Sequence, residues 1–157
     1  MLGKYLMIFL ISMVPMVELR LAVPMAVGMD LPYSLSMVVC VLGNMIPVPV
    51  IYFFARKVLI WGADKKYIGK FFRFCLEKGE RAGQKLVAKT GRGGLFLALL
   101  LFVGIPLPGT GAWTGTLAAS FLNMGFKSTV VAVSLGVILA GIIMAVGSTG
   151  VLAVFGL

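Results

Sequence analysis

Glu18 and Arg20 are the residues of this chain best placed to do chemistry: they lie two apart in a stretch, 5–29, that carries no other charge. A charged side chain at the bilayer centre costs about 2.5–3.5 kcal/mol on insertion scales, so an intramembrane charge is by default a functional residue with a partner. Arg20 offers a planar fork of fixed charge suited to a phosphate or carboxylate. Glu18 accepts hydrogen bonds when ionised, and a carboxyl buried among apolar groups can carry a proton. On a regular helix, residues two apart do not face each other. The two therefore pair only if the backbone unwinds; otherwise each finds another partner. Pro15 and Pro24 flank them, and the Pro24 ring displaces the Arg20 carbonyl from helical bonding. The structural alternative is a self-neutralising pair that holds a hairpin together.

A second constellation is Pro106-Leu-Pro-Gly-Thr-Gly111, followed by Ala112 and Trp113. Gly109 and Gly111 allow positive φ in a tight bend. The backbone N–H groups of Thr110, Gly111 and Ala112 could then cradle an anion, as helix N-termini and nests do. Gly111 and Gly115 equally suit close helix packing. Trp113 could stack on a ligand or lie against lipid. Asn44, shortly before Pro47 and Pro49, is polar at depth and suits either substrate contact or an interhelical hydrogen bond. The candidate substrate-binding set is thus Glu18, Arg20, Asn44, Gly109, Thr110, Gly111, Ala112 and Trp113.

Other chemistries find no support. Histidine is absent, removing the usual general base and the commonest metal ligand. Cys40 and Cys75 stand far apart, without metal or redox spacing. The ten methionines form no spaced cluster and read as packing residues. Nothing resembles a nucleophile, base and orienter, so neither an enzyme nor a cofactor is expected.

The elements that position these residues belong to a membrane. Hydrophobic residues make up 61% of the 157 and charged ones only 12%, about half the usual share for soluble domains. Four apolar blocks cover 5–29, 33–55, 93–124 and 128–157. Of the net charge of +9, +8 falls between Arg56 and Arg92. Between apolar spans, such a segment reads as a cytoplasmic loop under the positive-inside rule rather than as a nucleic-acid site. Within it Ile68, Phe71, Phe72, Cys75, Leu76, Gly79, Gly83 and Leu86 fall on a helical stripe. This predicts an interfacial amphipathic helix with basic groups toward anionic headgroups, capped by Asp64 and ended by Gly91. Gly79 and Gly83 weaken it in isolation, so it must pack on the bundle. Arg56 is expected to mark the cytoplasmic end of its helix.

Block 93–124 is too long for one span and is broken in the middle, which predicts a re-entrant hairpin of two short helices. Block 5–29 divides the same way, as a hairpin or as a kinked spanning helix. Pro15 aligns with Pro106, and 33–43 aligns with 126–136. Each half therefore reads as broken hairpin, connector and long helix, in opposite orientations if 56–92 is cytoplasmic. Such inverted repeats recur in transporters. Ala132, Gly136 and Ala140 form a small-residue packing face.

The run Val14-Pro-Met-Val-Glu-Leu-Arg-Leu-Ala-Val-Pro24, with Gly43-Asn-Met-Ile-Pro47 and Pro106-Leu-Pro-Gly-Thr-Gly-Ala-Trp-Thr-Gly115, resembles the small multi-drug export proteins. Those look like relatives of the DedA/VTT superfamily, and the resemblance covers nearly the whole chain. It implies opposed re-entrant hairpins and, for the wider superfamily, translocation of polyprenyl phosphates or phospholipids, sometimes coupled to protons. DedA relatives usually carry arginines in the second hairpin; 106–115 has none.

The expected architecture is an all-α integral membrane protein of one domain. It comprises repeat one at 1–57, a basic interfacial helix at 58–92 and repeat two at 93–157. The expected function is membrane transport of an anionic lipid headgroup in the cell membrane, with protons as a coupling partner and a homodimer as the assembly. An exporter of amphipathic cations and a non-transporting scaffold are the alternatives.

Overall fold

The computed structural model describes residues 2–155 except Met16 and Pro108, and the side chains of that range except those at 149 and 151–155. Pro108 of the second break and the last two residues of the fourth apolar block thus lie outside the described residues. The chain is all helical among those described. Its elements are α1 (Leu2–Met13), α2 (Glu18–Gly28), α3 (Tyr33–Met45), α4 (Pro47–Ala63), α5 (Gly69–Gly104), α6 (Ala112–Phe121) and α7 (Phe126–Phe155).

Three helical runs have the length and apolar composition to cross a membrane: Tyr33–Ala63, Gly69–Gly104, which is kinked at Gly91, and Phe126–Ser148. Val50, Phe54, Val131 and Ile142 stand exposed on them, as side chains facing lipid do. The first unit bends at Ile46, where Pro47 opens α4 without an N–H to offer. The helix does not stop at Arg56: Val58, Leu59, Ile60 and Trp61 are apolar and helix-compatible, so α4 continues to Ala63. Asp64 terminates α4 rather than capping the next helix, whose N-cap position is Ile68.

Gly91, at φ 71°, breaks α5 into a basic amphipathic part and an apolar part ending at Gly104. Only glycine adopts that backbone at little cost, which is why the amphipathic helix ends there. The basic helix packs against the bundle through its glycines. A β-carbon at Gly79 or Gly83 would meet the carbonyl of Phe121 or Leu122 at the end of α6. Arg73 donates to the Ala63 carbonyl at 2.9 Å and so closes the C-terminal end of α4.

Local geometry recurs about ninety residues apart. Helix α2 ends with Asp30 at φ 56° and a Leu31 N–H bond to the Ala26 carbonyl. Helix α6 ends with Asn123 at φ 55° and a Met124 N–H bond to the Ala119 carbonyl. Both are left-handed caps with a 6→1 bond. Gly43 of α3 presses on Phe9 and Ser12 of α1, while Gly136 of α7 presses on Leu100 and Val103 of α5. Ala132, Gly136 and Ala140 are buried, as a packing face requires.

Those two glycines make a direct test of packing. Gly43→Ala and Gly136→Ala each bring a methyl against a backbone carbonyl and are expected to destabilise by about 1–3 kcal/mol. Gly147→Ala, whose β-carbon meets nothing within 4 Å, should be neutral or stabilising by under about 1 kcal/mol. Unfolding in detergent separates the two classes.

Candidate functional site

The site begins with a helix start that lacks its own cap. Helix α6 opens at Ala112 after Gly111, which has no side chain to accept from the first N–H groups. Glu18 supplies that cap from another helix. Its Oε2 accepts the Ala112 N–H and its Oε1 the Trp113 N–H, each at 3.1 Å. The Gly111 N–H turns to Thr114 Oγ1 at 2.9 Å. A β-carbon at Gly111 would occupy the place of the Glu18 carboxylate, so glycine is required here for space rather than for φ.

Glu18 is only 4% exposed. A carboxylate that deep is tolerable because the positive end of α6 faces it and charge-assisted hydrogen bonds hold both oxygens. Its backbone lies at φ 48°, a left-handed conformation that costs a non-glycine residue about 1–2 kcal/mol. Strain persisting at one residue implies that its surroundings over-determine its position.

Arg20, half-buried, reaches the other side of the same break. It donates to the Leu107 carbonyl and, at 2.7 Å, to Thr110 Oγ1. The Thr110 hydroxyl lies 2.8 Å from the Ile105 carbonyl and 2.9 Å from that of Leu107. The cation thus meets oxygens of the break that follows α5 while the anion meets the positive end of α6. Trp113 reciprocates from the second break: its indole N–H donates to the Met13 carbonyl at the end of α1, at 3.2 Å. Together these contacts form a clasp between the two interrupted helices.

Residues 18–143 match the model of a family described as "Putative small multi-drug export protein". The chain belongs to this family. The match begins at Glu18 itself and contains the second break entire. No curated protein and no solved structure matches the chain. With three helical runs of spanning length, this small multi-drug export family member is a membrane protein.

Of the family member's candidate residues, Glu18, Arg20, Thr110, Gly111, Ala112 and Trp113 come together at the clasp. Gly109, at φ 83°, forms the bend between Arg20's two acceptors, Leu107 and Thr110. The three amides expected to await an anion are all engaged: Thr110 N–H with Leu107 O, Gly111 N–H with Thr114 Oγ1, and Ala112 N–H with Glu18. Of the three only Ala112 faces the carboxylate, and with Trp113 it forms a two-amide seat that Glu18 occupies. Asn44 is 2% exposed and lies apart on α3; its Oδ1 has no hydrogen-bond partner among the described residues. Of the two expected roles, an interhelical bond is thus not made by this oxygen among the described residues.

Arg56 and Tyr52 are contacts that hydropathy alone underrates. Arg56 donates to Asn123 Oδ1 and the Tyr52 hydroxyl to the Met124 carbonyl, so α4 fixes the turn that ends α6. Ser120 Oγ adds a bond to the Tyr52 carbonyl at 3.3 Å. Helix α6 is thereby gripped at both ends, by α2 at its start and by α4 at its finish.

Proposed function

We propose that this membrane protein transports an amphiphile with an anionic headgroup, a (poly)prenyl phosphate or a phospholipid, and that the Glu18–Arg20 clasp is its gate. The observation that carries this reading is the Glu18 carboxylate seated on the Ala112 and Trp113 N–H groups. A position that accepts a carboxylate accepts a phosphate by the same chemistry. Substrate would displace Glu18 from this seat, with Arg20 as the fixed counter-charge, and protonation of Glu18 would weaken its hold on α6. Relationship to the DedA/VTT superfamily would place the substrate in the same class.

The halves act in this reading as inverted repeats, and 1–57 and 93–157 are their extents. Support comes from the recurring caps at Asp30 and Asn123, the matching glycine contacts of Gly43 and Gly136, and the exchange between breaks. In this reading the exchange between the breaks puts the clasp where the two repeats meet. Helices α1, α2 and α6, at 12, 11 and 10 residues, reach about 15–18 Å each and act as re-entrant arms within a ~30 Å core. The basic segment faces the cytoplasm, and two copies of so small a unit complete the pathway as a C2 dimer.

A second reading follows from the family's description: export of amphipathic cations, with Glu18 as the recognising anion. Reconstituted vesicles separate the two. Under the lipid reading, Arg20→Ala lowers translocation of a phosphate-bearing lipid by roughly tenfold or more, the worth of a charged hydrogen bond. Under the cation reading, Glu18→Gln abolishes cation efflux and Arg20→Lys is tolerated. Unchanged lipid flux in Arg20→Ala would overturn the first.

A further inference from the structure

A cavity of about 570 Å³ with a mixed lining lies between the basic helix of α5 and the turn joining α6 to α7; Gln84, Arg92, Asn123 and Ser128 give it polar groups beside the apolar Val87 and Leu95. Beside it is an apolar cavity of about 170 Å³. Leu95, Leu122 and Met124 line both, so the two adjoin. Ala98, Phe102 and Ala118 belong to the apolar cavity alone, which opens between α5 and α6. A chamber with polar groups on part of its wall beside a wholly apolar slot matches one kind of molecule, an amphiphile with its head in the first and its tail in the second.

We propose that this pair of cavities binds an acidic phospholipid of the leaflet that meets the basic helix, independently of the clasp. The charge around the chamber selects the sign. Arg92 lines it, Arg56 bonds Asn123 on its wall, Lys127 precedes Ser128, and Lys85 and Lys89 are exposed on the same helix. Glu80, the one acid on the wall, lies on the interfacial helix, on the other side of the Gly91 break from Arg92. A phosphate at the Arg92 end therefore meets cations without meeting that carboxylate. The break at Gly91 is what lets the site exist: it ends the interfacial helix and turns Arg92 and Leu95 into the apolar segment, so headgroup and tail contacts follow each other directly. The tail would lie against Ala118, on the helix whose start Glu18 holds.

Native mass spectrometry of the full-length protein in non-ionic detergent tests this, with phosphatidylglycerol and phosphatidylcholine of the same chain length as probes. Phosphatidylglycerol should be retained in preference. Arg92→Ala should lower its affinity about fivefold, the worth of one basic residue at an anionic surface. Ala118→Phe, which fills the slot, should abolish the preference; Ala98→Leu serves if that variant does not fold. Inorganic phosphate should fail to displace the lipid, and displacement would reduce the site to an anion pocket and overturn the proposal. Equal retention by wild type, Arg92→Ala and Ala98→Leu would also overturn it. Loss of the preference in Arg20→Ala with Arg92→Ala unaffected would assign the lipid to the clasp and overturn the proposal.

Discussion

Glu18→Ala should lower the stability of the protein by about 3 kcal/mol, the scale on which breaking one partner of a buried charged arrangement acts. The Ala112 and Trp113 N–H groups lose their acceptor at a helix start that Gly111 cannot cap. Alanine also inherits the left-handed backbone at this position without the hydrogen bonds that held it there. Glu18→Gln should fall between, because its amide oxygen still accepts from one N–H while its NH2 group confronts the other. Reversible unfolding in mixed micelles measures both. A Glu18→Ala variant within about 0.5 kcal/mol of wild type, the spread of ordinary surface substitutions, would falsify the clasp as a stabilising contact.

Gly111→Ala should be comparably damaging although it adds one methyl group. The backbone at Gly111 is extended, at φ −143°, so alanine meets no torsional penalty. The cost comes from the Glu18 carboxylate, whose place the new β-carbon would take. The carboxylate must then leave the α6 N-terminus while buried, which is dearer than the usual 1–3 kcal/mol of overpacking. Under the gating reading, a seat emptied in this way also loses regulated transport. Vesicle flux should become less dependent on the Glu18 side chain, so that Glu18→Gln adds little to Gly111→Ala.

Helix breaks were legible in the sequence because proline and glycine act locally. Pro15, Pro106 and Gly109 announce interruptions, and the helices on either side follow from apolar runs of fixed length. Gly91 ends its helix as its backbone freedom suggests. Arg56 shows where that logic is weaker: a charge marks where a side chain reaches polar surroundings, not where a helix ceases. Asp64 could cap a helix on either side by residue type, and only the chain's path to Ile68 decides. The pairing of Glu18 with α6 carries no local signal at all. Ninety-odd residues separate the partners, and glycine at 111 looks the same whether it makes room for a ligand or for the protein's own carboxylate.

A double-mutant cycle between Glu18→Ala and Gly111→Ala is the most direct measurement of the clasp. If the β-carbon at 111 harms the protein by evicting the Glu18 carboxylate, its cost should vanish once that carboxylate is gone, leaving a coupling of about 2 kcal/mol or more. Strict additivity of the two substitutions would contradict the account.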